Sequence, residues 1–158
     1  PRVAAFMPGG PYANLLAKRQ VIARVGDNIF VHGGVLPEHV AYGIDAINSS
    51  AQAWLRGDAD LPSVLSGSFS PQWTRLYSDD PDSSACSVLE KALNALGAKR
   101  IVMGHTIQQS GITSACGARA WRIDVAMAAY YAARNDYGGS VEVLEIVGDS
   151  VRVLKEGG

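Results

Sequence analysis

The chain has 158 residues, 47% of them apolar, and its 14 basic and 15 acidic side chains leave a formal charge of −1. That length suits one domain with its own core. The balanced charge, with no basic block, no aromatic-basic stripe and no acidic run, argues against a nucleic-acid binder or a disordered tail, and no apolar run approaches the ~20 residues of a membrane helix.

Pro1 stands where Met would open a gene product, and no signal-like segment follows, so the sequence reads as a processed chain or a piece of a longer one. Pro8-Gly9-Gly10-Pro11 is a rigid turn before a short helical stretch, Tyr12 to Arg19. Val21 to Arg24 and Ile29 to Val31 read as the two strands of a hairpin turning at Gly26-Asp27-Asn28. Pro37 suits a helix start, and Val40, Ile44, Ile47, Ala51 and Trp54 continue one apolar helical face to a stop at Gly57. Residues 58–83 form a long Ser/Pro/Asp/Gly-rich loop, the kind of segment that carries function more often than it idles.

Ser83 or Ser84 can cap a second helix with Val88, Leu89, Ala92, Leu93 and Leu96 on its apolar face and Gly97 at its end. A strand at Arg100 to Met103, a loop with His105, a turn at Cys116-Gly117 and a strand from Ala118 to Val125 follow. Residues 126–135 are Ala/Tyr-rich and helical in pattern, and Val141 to Val147 with Val151 to Leu154 closes the chain as a hairpin. Strands mixed with helices make the class α/β (α+β), organised on a sheet. Cys86 and Cys116 are too few and too far apart for a zinc knuckle; buried free thiols are the reading taken, with one disulfide open in an oxidising compartment.

Of three histidines, two end apolar strands beside glycine, His32 in "FVHGG" and His105 in "VMGHT". A lone histidine in such a place usually bonds backbone. Two in matching contexts argue for a shared divalent metal, because neutral imidazole suits such ions and strand ends hold it rigidly. His39, beside Glu38 at a polar helix start, reads as a solvated surface residue. Two histidines fall short of the three protein ligands of a catalytic metal. Asp124, ending a strand, can stand behind His105 and orient it, or simply serve a turn. Arg75 in "PQWTRLY" offers a planar fork matched to phosphate oxygens, weighed against an ordinary surface ion pair.

The blocks "FVHGGVLPEH", "PQWTRLYS", "RIVMGHTIQQSGI" and "WRIDVAM…VEVLEI", in that order, resemble the C-terminal half of calcineurin-like metallophosphoesterases, in particular the Shewanella-like branch of phosphoprotein phosphatases. The resemblance implies half of a β-sandwich flanked by helices, with residues 1–158 as the C-terminal part of the domain. In the complete domain it implies two divalent ions (Mn, Fe or Zn) whose bridging hydroxide attacks phosphorus in line. His32 and His105 match the histidines of the second metal, and Arg75 matches an arginine assigned to phosphate binding. The substrates implied are a phosphorylated protein, of the Ser/Thr type, or a small phosphoester. The family's "GDxHG", "GDxxDRG" and "GNH" blocks, which carry its carboxylates, occur nowhere in these residues, and Ala126 stands where the family has Gly. The 158 residues alone are therefore expected to be inactive. Two alternatives stay open: a catalytically silent domain serving as a structural or binding subunit of a larger assembly, and a phosphoesterase for nucleotides such as dinucleoside polyphosphates. Cytoplasm and chloroplast both fit the branch.

Overall fold

The structure, a computed structural model, describes residues 2–132 and 140–155. Two short helices, α1 (Arg2–Phe6) and α2 (Pro11–Leu16), lead into the strands β1 (Ile22–Val25) and β2 (Asn28–Val31). Then come α3 (Pro37–Tyr42), α4 (Ile44–Arg56), a 3-10 turn at Ser63–Leu65 and α5 (Ser83–Leu96). The strands β3 (Arg100–Met103), β4 (Thr113–Ala115) and β5 (Ala120–Arg122), a turn of helix α6 (Ala129–Ala132), and the strands β6 (Glu142–Val147) and β7 (Ser150–Lys155) complete the chain. The helix expected over residues 126–135 is represented by α6, and its last three positions lie outside the described residues.

Five strands form one mixed sheet in the order β1-β2-β3-β5-β4, and β6 pairs with β7 as a separate antiparallel ribbon. The class is thus the mixed α/β expected. β2, β3 and β5 run parallel, with β1 and β4 antiparallel at the edges. Strand alternation sorts the side chains: Ile22, Ile29, Val31, Ile101, Met103 and Ala120 join Ile47, Ala51, Leu89 and Leu93 of α4 and α5 in one buried cluster. Phe30, Val102 and Ile123 share a cavity with Val143, Leu144 and Ile146 of the ribbon, which therefore faces the sheet's other side.

Several expectations need correction. The face drawn from Val40 to Trp54 belongs to two helices, because Gly43 adopts φ +101° between them and re-aims the chain. Trp54 is half-buried rather than central. Asp82, not Ser83 or Ser84, caps α5, its Oδ1 accepting from Ala85 N at 2.8 Å. The strand foreseen from Ala118 begins at Ala120, since Cys116, Gly117 and Ala118 all turn through positive φ after the unforeseen β4.

Cys86 and Cys116 are not free thiols: they form a disulfide joining the first turn of α5 to the β4–β5 turn. Closing a loop of 30 residues removes about 3–4 kcal/mol of unfolded-chain entropy in the simplest account. His39 is 3% exposed, contrary to the solvated role expected. Its Nδ1 accepts Leu36 N–H at 3.0 Å and so satisfies an orphan donor at the start of α3.

Candidate functional site

Parallel pairing explains why two distant histidines meet. Val31 is in register with Met103, and Met103 with Arg122, so β2, β3 and β5 finish at one end of the sheet. His32, His105 and Asp124 follow just past those ends, where ligands bind in open α/β sheets. The ladder extends one step further through Gly104 N–H to His32 O at 3.0 Å. The next bond, Thr106 N–H to Gly104 O at 2.9 Å, closes a three-residue turn centred on His105, whose φ is +69°. A non-glycine residue so placed stores backbone strain of about 1–3 kcal/mol and presents its ring outward from the tip.

Gly33 and Gly34 let a second segment approach. Both amides donate to Pro71 O, at 2.9 and 3.0 Å. A Cβ on Gly33 would lie 2.8 Å from the carbonyl oxygens of Pro71 and Thr74, so only glycine admits this loop. The loop brings Trp73 and Arg75 to the strand ends. Trp73 O accepts from His105 Nε2 at 3.1 Å, and the Trp73 ring meets the His105 ring edge-on at 5.4 Å. Arg75 Nη1 donates to His105 O at 2.6 Å and to Thr106 Oγ1 at 2.8 Å.

The structure brings His32 and His105 together: their rings lie 4.8 Å apart between centroids, with His105 Nδ1 3.1 Å from His32 Nε2. A carbonyl only accepts, so the His105 proton sits on Nε2 facing Trp73 O, and Nδ1 keeps its lone pair. Without metal, His32 Nε2–H fills the gap as donor. Two donors on a single ion, with bonds of about 2.1 Å, end about 3.1 Å apart when the bite is near 95°. The pair therefore fits two ligand positions on one ion once the His32 proton is carried on Nδ1, leaving Nε2 with its lone pair. Burial, and after it the Arg75 guanidinium and the His32 ring, hold the His105 imidazole below its ordinary range, which favours the neutral form a metal needs. Among the described residues no three His, Cys, Asp or Glu side chains converge as a ligand set.

Asp124 lies at the same tip, and its charge opposes that lowering of His105. Its Oδ1 accepts from Ala126 N at 3.3 Å, which is the turn role, while the acceptor directly behind His105 is the Trp73 carbonyl. That carbonyl is the contribution sequence reasoning missed, and no side-chain pattern could have shown it. Thr106, Ser78 and Gln108 were missed as well. Ser78 Oγ and Thr106 Oγ1 share a hydrogen bond of 2.8 Å, and Gln108 Nε2 donates to the carbonyls of Thr106 (2.9 Å) and Ser78 (3.3 Å). Their sequence signal was their place beside the two blocks already marked, Thr106 and Gln108 in and after "GHT" and Ser78 at the end of "PQWTRLYS".

No protein-family model matches the sequence. Shewanella-like protein phosphatase 2 of Arabidopsis thaliana is 42% identical over 160 residues, an alignment covering 97% of this chain and 40% of that protein. An uncharacterized protein of Schizosaccharomyces pombe is 31% identical over 109 residues, covering 65% of this chain and 32% of that one. The chain thus spans well under half the length of these curated relatives. Among solved structures, a point mutant of a cold-active protein tyrosine phosphatase matches with a TM-score of 0.69 at 20% identity, over 87% of this chain and 41% of its own. The cold-active protein-tyrosine phosphatase of a psychrophile Shewanella sp. matches with a TM-score of 0.63 at 22% identity, over 82% of this chain and 38% of its own. At those identities the solved structures speak for the fold alone.

Proposed function

The chain is related to the Shewanella-like protein phosphatases along nearly its whole length, and from that relationship we propose that it carries the histidine half of a metal-dependent phosphomonoesterase site. The observation that supports this most is the His105 Nδ1 to His32 Nε2 spacing of 3.1 Å, with the Trp73 carbonyl fixing the tautomer behind it. On this reading the remaining ligands are carboxylates from polypeptide outside these residues. A divalent ion pair there would supply a hydroxide at neutral pH and polarise the phosphoryl oxygens.

This chain's own residues bind and orient. His32 and His105 offer two neutral nitrogens from rigid strand tips. Arg75 spends Nη1 on the His105 loop, and on this reading the remaining donors of its planar fork serve a phosphoryl group bound beside the histidines. The substrate class is phosphoprotein monoesters. Paired phosphoserine and phosphotyrosine peptides of one sequence decide between the Ser/Thr type carried by the sequence resemblance and the tyrosine specificity named for the solved neighbours.

The test uses the protein at its full natural length with manganese. His32→Ala and His105→Ala should each lower turnover of p-nitrophenyl phosphate by about 10²-fold or more, consistent with loss of a metal ligand. Unchanged turnover removes both residues from the site. A folded wild-type protein that binds manganese and turns over nothing hands the function to the silent structural subunit.

A further inference from the structure

The strand-tip site is assembled from two loops that share no strand pairing: backbone bonds tie each to the β2 tip, through Gly33 and Gly34 for one and His32 O for the other, and side chains bridge the two directly. The loop ending in Arg75 and Ser78 comes from between α4 and α5, and the loop of His105 and Thr106 follows β3. Gln108 touches both. One Nε2 proton meets Thr106 O at 2.9 Å and the other Ser78 O at 3.3 Å. Its Oε1 accepts the Thr113 hydroxyl at 2.8 Å, and Thr113 Oγ1 in turn accepts Arg122 Nε at 2.9 Å. Arg122 cannot accept, so the direction of every proton in this chain is fixed. The amide can be neither flipped nor replaced by a carboxylate without setting like groups against each other. Its backbone N–H is spent on Asp124 O at 2.7 Å, which roots the residue at the third strand tip.

The geometry points to Gln108 as the positioning residue of the site: its carboxamide couples the Arg75 loop to the strained His105 turn and so sets where the guanidinium stands beside the histidine pair. Thr106 is the hinge of this coupling. Its carbonyl is held by Gln108, while its hydroxyl receives Arg75 Nη1 at 2.8 Å and shares a 2.8 Å bond with Ser78 Oγ. Releasing Gln108 frees the Thr106 carbonyl and the Ser78 carbonyl together, and of the two acceptors of Arg75 Nη1 the Thr106 hydroxyl loses its anchorage while His105 O keeps its place in the turn. The role assigned to Arg75 rests on the phosphomonoesterase reading above.

A double-mutant cycle in the full-length, manganese-loaded protein tests this, read as KM for p-nitrophenyl phosphate and Ki for inorganic phosphate. Gln108→Met, similar in shape and unable to make these bonds, should raise both constants about tenfold, the scale of lost hydrogen bonds between polar groups. Arg75→Ala should raise them further. The Gln108→Met/Arg75→Ala protein should be no weaker than Arg75→Ala alone, because the glutamine acts through the arginine. Thr113→Val, which only unlocks the carboxamide, should shift the constants about threefold the same way, and it carries the cycle if Gln108→Met does not fold. Effects that add in the double mutant, or constants unchanged in Gln108→Met and Thr113→Val, overturn the positioning role while leaving the phosphatase reading intact. A wild-type protein with neither turnover nor phosphate binding overturns both.

Discussion

The two faces of the five-stranded sheet differ in what they are built to do. On the helix side, Ile29, Val31, Ile101 and Met103 meet α4 and α5 in a buried cluster with Tyr77 and Leu65. On the other side, Phe30, Val102 and Ile123 share an open cavity with the ribbon. The same three side chains also line a cleft that leads to His32, His105 and Asp124. Alternation along a strand thus divides labour within single segments: Ile29 and Val31 hold the fold, while the tip beyond them presents His32. The difference teaches where stability resides. Close packing on the helix side fixes the strands, and their ends can then carry strained, polar loops.

The largest expected effect sharpens that contrast. Ile101 is fully buried in the central strand, and Ile101→Ala should destabilise the protein by about 2–5 kcal/mol, through lost transfer energy and the cavity left behind. Val143 on the ribbon is 55% exposed, and Val143→Ala should stay within about 0.5 kcal/mol. Urea unfolding of the two variants provides the measurement. Equal losses would break the distinction and make the ribbon part of the same close-packed core.

Much of this division was legible in the sequence. The hairpin at Gly26-Asp27, the apolar face of α5 and the closing ribbon all carried strong local signals, and "VHGG" with "GHT" marked the two tips. What the sequence hid depends on distant neighbours. Gly43 sits inside an unbroken apolar period, so the break between α3 and α4 has no mark beyond one glycine. β4 is three residues, too short for any period. The Cys86–Cys116 bond depends on the start of α5 lying against the β4–β5 turn, which spacing along the chain does not encode. His39 follows Glu38 at a helix start, yet the backbone of Phe69 folds close enough to hydrogen-bond it.

The pH response should come from the helix side too. Burial lowers the His39 pKa from its ordinary 6.5, against the smaller opposing pull of Glu38 and the Phe69 backbone. The folded state therefore binds this proton less readily than the unfolded chain. Its contribution is complete above 6.5 and is lost as pH falls through the lowered folded value, with a slope of at most about 1.4 kcal/mol per pH unit. Protonating Nδ1 also destroys the acceptor for Leu36 N–H. His39→Gln keeps an acceptor at the same helix position without titrating, so its urea midpoint should fall less between neutral and mildly acidic pH than that of the wild type. Identical slopes would assign the acid sensitivity elsewhere.

The smallest effect compares two alanines in left-handed conformations. Ala118, at φ +62°, is exposed in the β4–β5 turn, and Ala126, at φ +51°, is 6% exposed beside Asp124. Glycine relieves the strain at either place, for a gain of up to about 1 kcal/mol. At Ala118 nothing opposes that gain except the added freedom of the unfolded chain. At Ala126 a buried methyl is removed as well, which offsets about 0.8 kcal/mol. Ala118→Gly should therefore raise the melting temperature visibly, and Ala126→Gly should leave it nearly unchanged. If Ala126→Gly stabilises as much as Ala118→Gly, the methyl contributes no packing. The backbone next to the histidine tips would then hold strain with no compensating contact.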